Sequence, residues 1–291
     1  MSNKKKAFKK MNKISENVAH NDTFNSTAEF MARVGFATRG LIFFVMGILA
    51  LLLAFGRGGK TTDQQGAIAM IGKQPEGKVL LWLILIGLIC YSSWALIQVI
   101  INPFNKENDT KGISARLGYL FGAVSYSFLA IPTYALLTGG SKPVHVGKQA
   151  AKTQNYVSKI LDMPFGQWMI LIVAIIVISV GIFQISKAFM PLFGSQLDLI
   201  KLNIYQLKWV KGFGMFGTIS RGFVITLVGI FLVIAAYTSD SNNAKGFDSA
   251  LMSLLNQPYG RWLIGIIALG LMSFGIYDLL IAMFFRLAIK N

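Results

Sequence analysis

Four polar side chains interrupt runs that are otherwise apolar: Arg39, Arg221, Asp278 and Gln184. Ionisable groups inside such runs are costly and face protein or water rather than lipid. Asp278 is the only acidic residue well inside a run, so an arginine is its expected partner. That partner is either Arg221, on the neighbouring helix of its own hairpin, or Arg39, if the first and last hairpins meet. Arg39 lies as far ahead of Phe55, and Arg221 of Tyr237, as Asp278 lies after Trp262 and Gln184 after Trp168. At about 1.5 Å per helical residue, all four fall in one layer roughly 24 Å from the outer boundary. Such a layer can be a structural ion pair, an anion-binding ring or a cytoplasmic gate.

Other chemistry has little to work with. The single cysteine, Cys90, sits in an apolar block, which offers neither a disulfide framework nor a cysteine metal site. His20 and His145 are isolated from any second ligand. There is no phosphate-binding loop, paired-histidine zinc motif or nucleophile elbow. No catalytic, cofactor-binding or metal-binding residue is expected, and the protein is not expected to be an enzyme. One would have to use outer-loop residues such as Asp63, Glu76, His145, Asp162 or Asp248, and none has the spacing of a known site.

The elements that position the polar layer follow from composition. Of 291 residues 54% are hydrophobic and 14% charged, with a formal net charge of +16. The apolar residues gather in six blocks, near 34–55, 79–101, 115–137, 167–189, 215–237 and 262–284, each long enough for a helical crossing. The runs are continuous rather than alternating, which excludes a closed barrel. The basic residues lie between the blocks, so topology and anionic lipid headgroups account for them and nucleic acid is not expected as a partner. Lysines and arginines are more numerous on the side holding both termini, which predicts cytoplasmic termini in a bacterial inner membrane.

Residues 1–32, with Lys4, Lys5, Lys6, Lys9, Lys10 and Lys13, read as a solvated basic cytoplasmic tail in which a short helix near 5–19 would be marked only by charge. Residues 191–211 read as a cytoplasmic amphipathic linker. The stretches 67–71 and 250–255 read as interfacial helices on the outer face. Trp82, Trp168 and Trp262 read as an interfacial aromatic belt. Pro132 is expected to bend the third span. Gln98, Lys187 and Ile281 hold corresponding positions near the inner ends of the even spans.

An internal repeat organises the rest. Gly40 and Gly47, seven residues apart, return as Gly222 and Gly229 and as Ala123 and Ala130. That spacing keeps them on one helix face, where small residues let helices approach closely in lipid. Arg39 corresponds to Arg221, but Gly122 stands in the middle unit. Pro75 with Gly77, Pro164 with Gly166 and Pro258 with Gly260 mark the same point before each even span, where proline suits a first helical turn. The units are hairpin 1 (33–101), hairpin 2 (114–190) and hairpin 3 (212–288). Two-span units re-enter on one side, so the repeats are parallel. The expected fold is an all-α membrane protein of six transmembrane helices, three parallel tandem hairpins with approximate threefold symmetry.

The Ala-Arg-x-Gly-Phe-x-x-Arg-Gly entry at 32–40, followed by Gln-Pro-x-Gly before the return helix, resembles the bacterial membrane proteins of domain of unknown function 1206. The resemblance runs from about residue 30 onward. It implies three tandem two-helix units and a membrane location, and no chemistry. The first functional expectation is passage of an ion or small solute, and the alternative is a non-transporting scaffold or lipid-interacting protein. The bundle axis separates them: a continuous polar path favours passage, and an axis filled by large apolar side chains favours the alternative.

Overall fold

The computed structural model describes residues 22–103, 110–139, 149–189 and 204–285. Among them the chain is helical: α1 (Asp22–Ala54), α2 (Gln64–Gly72), α3 (Gly77–Ile100), α4 (Thr110–Thr138), α5 (Gln149–Leu161), α6 (Gly166–Ala188), α7 (Ile204–Thr238), α8 (Phe247–Leu255) and α9 (Gly260–Phe284). A 3-10 turn at Ser241–Asn243 precedes α8. Six helices, α1, α3, α4, α6, α7 and α9, are long and apolar enough to cross a membrane.

Punctuation residues set the ends. After α1, Gly56 takes a φ of +69, and the Gly56 and Arg57 amides donate to the carbonyls of Leu53 and Leu52. This is a left-handed cap. Gly139 after α4 and Ser239 after α7 take φ of +70 and +52 at the matching points. Before the even spans, the amides of Gly77, Gly166 and Gly260 donate to Gln74, Met163 and Gln257 at 2.8, 2.9 and 2.8 Å. These three tight turns carry proline at their second position. The prolines therefore sit just before the even spans, where the sequence places them. Glycine is required because a Cβ would strike the end of the preceding short helix: Gly72 O, Ile160 O and Leu254 O respectively.

Several expected boundaries move. The helix around 5–19 and the basic residues of the extreme N-terminus lie outside the described residues, as do residues 190–203. α1 already includes residues 22–32, so no break separates a tail from the first span there. Likewise α7 runs unbroken from Ile204 into its span, so residues 204–211 are not a separate interfacial helix. α4 continues through Pro132. The stretch at 67–71 is not interfacial either. Gly66, Ala67, Ile68, Ala69 and Ile71 are all buried, and α2 packs on α3, α4 and α1 as a plug in the Pro-x-Gly end of the bundle. From Gly66 onward its residues are apolar on every side, which suits enclosure rather than an interface. α8 buries Ala250 and Leu251 and exposes Met252, the one-sided pattern the sequence suggests. Trp82, Trp168 and Trp262 are exposed.

The bundle is held by a repeated pairing. Each odd span packs on the even span of the preceding hairpin: α4 on α3, α7 on α6, and α1 on α9, which joins the first hairpin to the last. Within hairpins, α1 packs on α3 and α7 on α9. The middle hairpin differs: among the described residues, α4 and α6 share no packed face. The six spans therefore run α4–α3–α1–α9–α7–α6 around a ring with one open seam. The threefold arrangement is incomplete.

Side-chain size explains the seam. In hairpins 1 and 3 the two spans meet where Gly35 lies against Tyr91 and Gly87 against Thr38, and where Gly217 lies against Phe274 and Gly270 against Ser220. The middle hairpin keeps the first glycine, Gly118, but has Phe121 where the others have Thr38 and Ser220, and Ile176 where they have Gly87 and Gly270. Phe121 is 67% exposed and Ile176 56%, and nothing lies within 4 Å of the position a Cβ on Gly118 would take. Two large side chains stand where two small ones are needed, and the spans stay apart.

Candidate functional site: a buried charge centre at the first–last junction

Arg39 reaches Asp278 because α1 and α9 nearly touch. A Cβ on Gly40 would lie 2.8 Å from Gly275 O, and one on Gly275 would lie 2.7 Å from Gly40 O. Arg39 precedes the first glycine and Asp278 follows the second by about one turn, so the close crossing brings their side chains together. Arg39 donates from Nε to Asp278 Oδ2 at 2.6 Å and from Nη2 to Oδ1 at 2.5 Å, a two-pronged pair. Its Nη1 donates to the Tyr91 hydroxyl. The Asp278 side chain is 0% exposed and that of Arg39 12%.

Aromatic rings enclose the pair. The Arg39 guanidinium lies 5.0 Å from the Phe36 ring, 4.8 Å from Tyr91 and 5.4 Å from Phe274. Phe36 meets Tyr91 edge-on at 5.7 Å, and Phe43 meets Phe274 at 4.9 Å. The inside of the bundle at this level is thus lined by rings, of which Phe36, Phe43 and Phe274 are buried and Tyr91 is half-buried. A line of polar groups leads from the centre to the plug. Tyr91 packs on Tyr126 with ring centres 4.4 Å apart, and Gln64 at the start of α2 donates to the Tyr126 hydroxyl at 3.1 Å.

Of the two partners expected for Asp278, the junction selects Arg39 and not Arg221. Arg221 stands one residue before Gly222, which meets Gly181 on α6 as Gly40 meets Gly275. Its guanidinium nevertheless turns inward, 5.0 Å from the Phe43 ring and 5.2 Å from Phe274. It forms no ion pair or hydrogen bond among the described residues. Gln184, at the position equivalent to Asp278, is not drawn into the centre and does not bond Arg221. The two arginines therefore flank one ring, Phe274, with a single carboxylate between them.

The repeated small residues act as packing faces. A Cβ on Gly47 would meet Met272 and Ala268, one on Gly222 would meet Ile185 and Gly181, and one on Gly229 would meet Ile178 and Ala174. Where hairpin 1 meets the middle unit, the Ser92 hydroxyl donates to Ala123 O at 2.9 Å and lies 2.6 Å from Ser127 Oγ. At the other end of the pairing, Arg33 donates to Phe285 O at 3.1 and 2.8 Å and bonds Glu29 at 2.7 Å, placing a cation just beyond the C-terminus of α9. Gln98 is 1% exposed, and among the described residues neither its amide nitrogen nor its oxygen has a hydrogen-bond partner. Asp63 of the outer acids is a helix cap, accepting from Gly66 N at 2.8 Å.

Tyr91 and Phe274 were not singled out by the spacing of charges. Their signal lies in the repeat: each immediately precedes the small residue of the even span, Ser92 or Gly275, and the middle unit has Val180 there.

The fold and this centre define an all-α, six-span membrane protein built from three tandem hairpins. The family model described as Domain of Unknown Function (DUF1206) matches residues 34–102, 117–190 and 216–284, one match on each hairpin, and the chain belongs to that family. It is 32% identical over 248 residues to the uncharacterised protein YxxB of Bacillus subtilis (strain 168), covering 85% of this chain and 88% of that protein. No solved structure matches the chain.

Proposed function

We propose that the protein is a non-conducting, lipid-interacting protein of the bacterial inner membrane, with both termini cytoplasmic and no enzymatic activity. The observation that carries this reading is the filled axis. At the level of the charges, Phe36, Phe43, Tyr91 and Phe274 occupy the interior, and the helices beside the one break in the ring, α4 and α6, present the apolar Phe121 and Ile176. The excess of basic residues on the side of the termini supports the orientation and an association with anionic headgroups there. Nothing in the reading calls on nucleic acid or a cofactor. The test is flux in proteoliposomes: over a broad panel of ions and small solutes, the protein leaves permeability at the level of empty vesicles. Flux that an Arg39/Arg221 double substitution abolishes would overturn this and establish passage.

Passage of an ion or small solute is the second reading, and one observation favours it. The line Gln64–Tyr126–Tyr91–Arg39–Asp278 crosses an otherwise apolar interior. A buried ion pair is weak support for stability alone, since apolar residues of similar volume often serve as well.

A further inference from the structure

We infer that α2 is a lid over the Pro-x-Gly end of the bundle, latched by the Arg39–Asp278 pair through Tyr91 and Tyr126. The inference rests on neither reading of the function, since a lid can be latched whether or not anything crosses the membrane.

The latch joins all three hairpins. Asp278 of hairpin 3 accepts two hydrogen bonds from Arg39 of hairpin 1, at 2.6 and 2.5 Å. The remaining arm of the guanidinium donates to the Tyr91 hydroxyl. The Tyr91 ring rests on Tyr126 of the middle hairpin, with centres 4.4 Å apart. The Tyr126 hydroxyl in turn accepts from Gln64 Nε2, at the start of α2, at 3.1 Å. With the carboxylate gone, nothing fixes the guanidinium against Tyr91, and the two tyrosines that present an acceptor to Gln64 lose their brace. A close-packed interior answers such a change by repacking between discrete arrangements.

The lid is fixed more firmly at one end than at the other. A Cβ on Gly77 would lie 2.1 Å from Gly72 O, and one on Gly72 would lie 2.9 Å from Leu81 Cδ1, so the C-terminal end of α2 is pinned against α3. The N-terminal end is tied to α4 by the Gln64–Tyr126 hydrogen bond. Between the ends, Ala67, Ile68 and Ile71 belong to the same apolar core as Phe36, Phe43 and Phe274. The seat of the lid and the rings around the charge centre are therefore one packed body.

The repeat supplies the contrast. In hairpin 3, α8 takes the place of α2, Phe247 stands where Gln64 does, and Phe274 stands where Tyr91 does. Phe43 and Ile225 hold the place of Tyr126 in the outer hairpins. Apolar side chains thus serve the packing at each of these positions, and the amide and hydroxyls of the latch are additions to it.

The experiment uses the full chain in detergent and reads hydrogen–deuterium exchange over α2 and α8 by mass spectrometry. Arg39→Met with Asp278→Leu removes both charges and leaves neither unpaired; exchange over α2 rises about tenfold while α8 keeps its protection. Tyr126→Phe keeps the ring, removes the acceptor of Gln64 and raises α2 exchange to a similar extent. Combining all three substitutions adds nothing further, because the latch is already open. Unchanged α2 protection in the paired replacement would overturn the latch. An equal rise over α8 would also overturn it, as general loosening of the bundle, and additive effects would do so by showing two separate contacts. Arg33→Gln, at the far end of the α1–α9 junction, leaves α2 protected; a rise equal to that of the paired replacement would replace the latch with an effect of the junction as a whole. Flux in proteoliposomes bears on the functional readings alone.

Discussion

At the scale of single residues, Asp278 and Arg39 are worth more to each other than either is to the fold. Both charges are withdrawn from water, so removing one leaves the other buried without a counter-charge. Asp278→Asn is expected to destabilise the protein by about 3–5 kcal/mol, whereas replacing the pair together with Arg39→Met and Asp278→Leu should recover most of that loss. Thermal unfolding in detergent, arranged as a double-mutant cycle, measures the difference. Arg221 gives the contrast. Among the described residues its direct contacts are with the Phe43 and Phe274 rings, so Arg221→Gln should cost about 1–2 kcal/mol, the range of a partly buried cation over rings. Equal losses for Asp278→Asn and Arg221→Gln would mean that the ion pair contributes no more than those ring contacts.

At the scale of helices, glycine decides which spans meet. Gly275 lies against the backbone of α1, 2.7 Å from both Gly40 O and Phe44 N at its Cβ position, so Gly275→Leu must push α9 away from α1 and break the junction that aligns Arg39 with Asp278. Gly118, which has the same residue type and helical setting but no neighbour, should accept alanine and gain up to about 1 kcal/mol from helix propensity. Melting temperatures that moved in the same direction for both would refute the assignment of packed and open faces. Much of this was legible in the sequence. The six apolar runs, the Pro-x-Gly turns and the glycine faces all follow from spacing, because helix period and turn chemistry are local. That Arg39 can stand level with Asp278 was legible too, since rise per residue is fixed. What local pattern could not supply was which hairpin each face would meet. Asp278 had two arginines at matching depth, and only the packing of α1 on α9 chooses Arg39. α2 was misread for a related reason: a short run of Gly, Ala, Ile and Met has the same composition at an interface or as a plug, and its neighbours alone decide.

At the scale of the whole molecule, the open seam is a built feature and not an accident of one conformation. Hairpins 1 and 3 close through two points of contact, a glycine against an aromatic residue and a small residue against a glycine. The middle hairpin retains Gly118 for the first point and fills the second with Phe121 and Ile176. Restoring the small pair should therefore close the ring. In a Cys90→Ser background, spin labels on Leu117→Cys and Phe183→Cys report the separation of α4 and α6. Adding Phe121→Ser and Ile176→Gly should shorten that distance toward the roughly 8–10 Å axial spacing of packed helices, plus the reach of the labels. A shortened distance would show that the middle hairpin departs from the repeat through these two side chains. An unchanged distance would show that something else holds the spans apart.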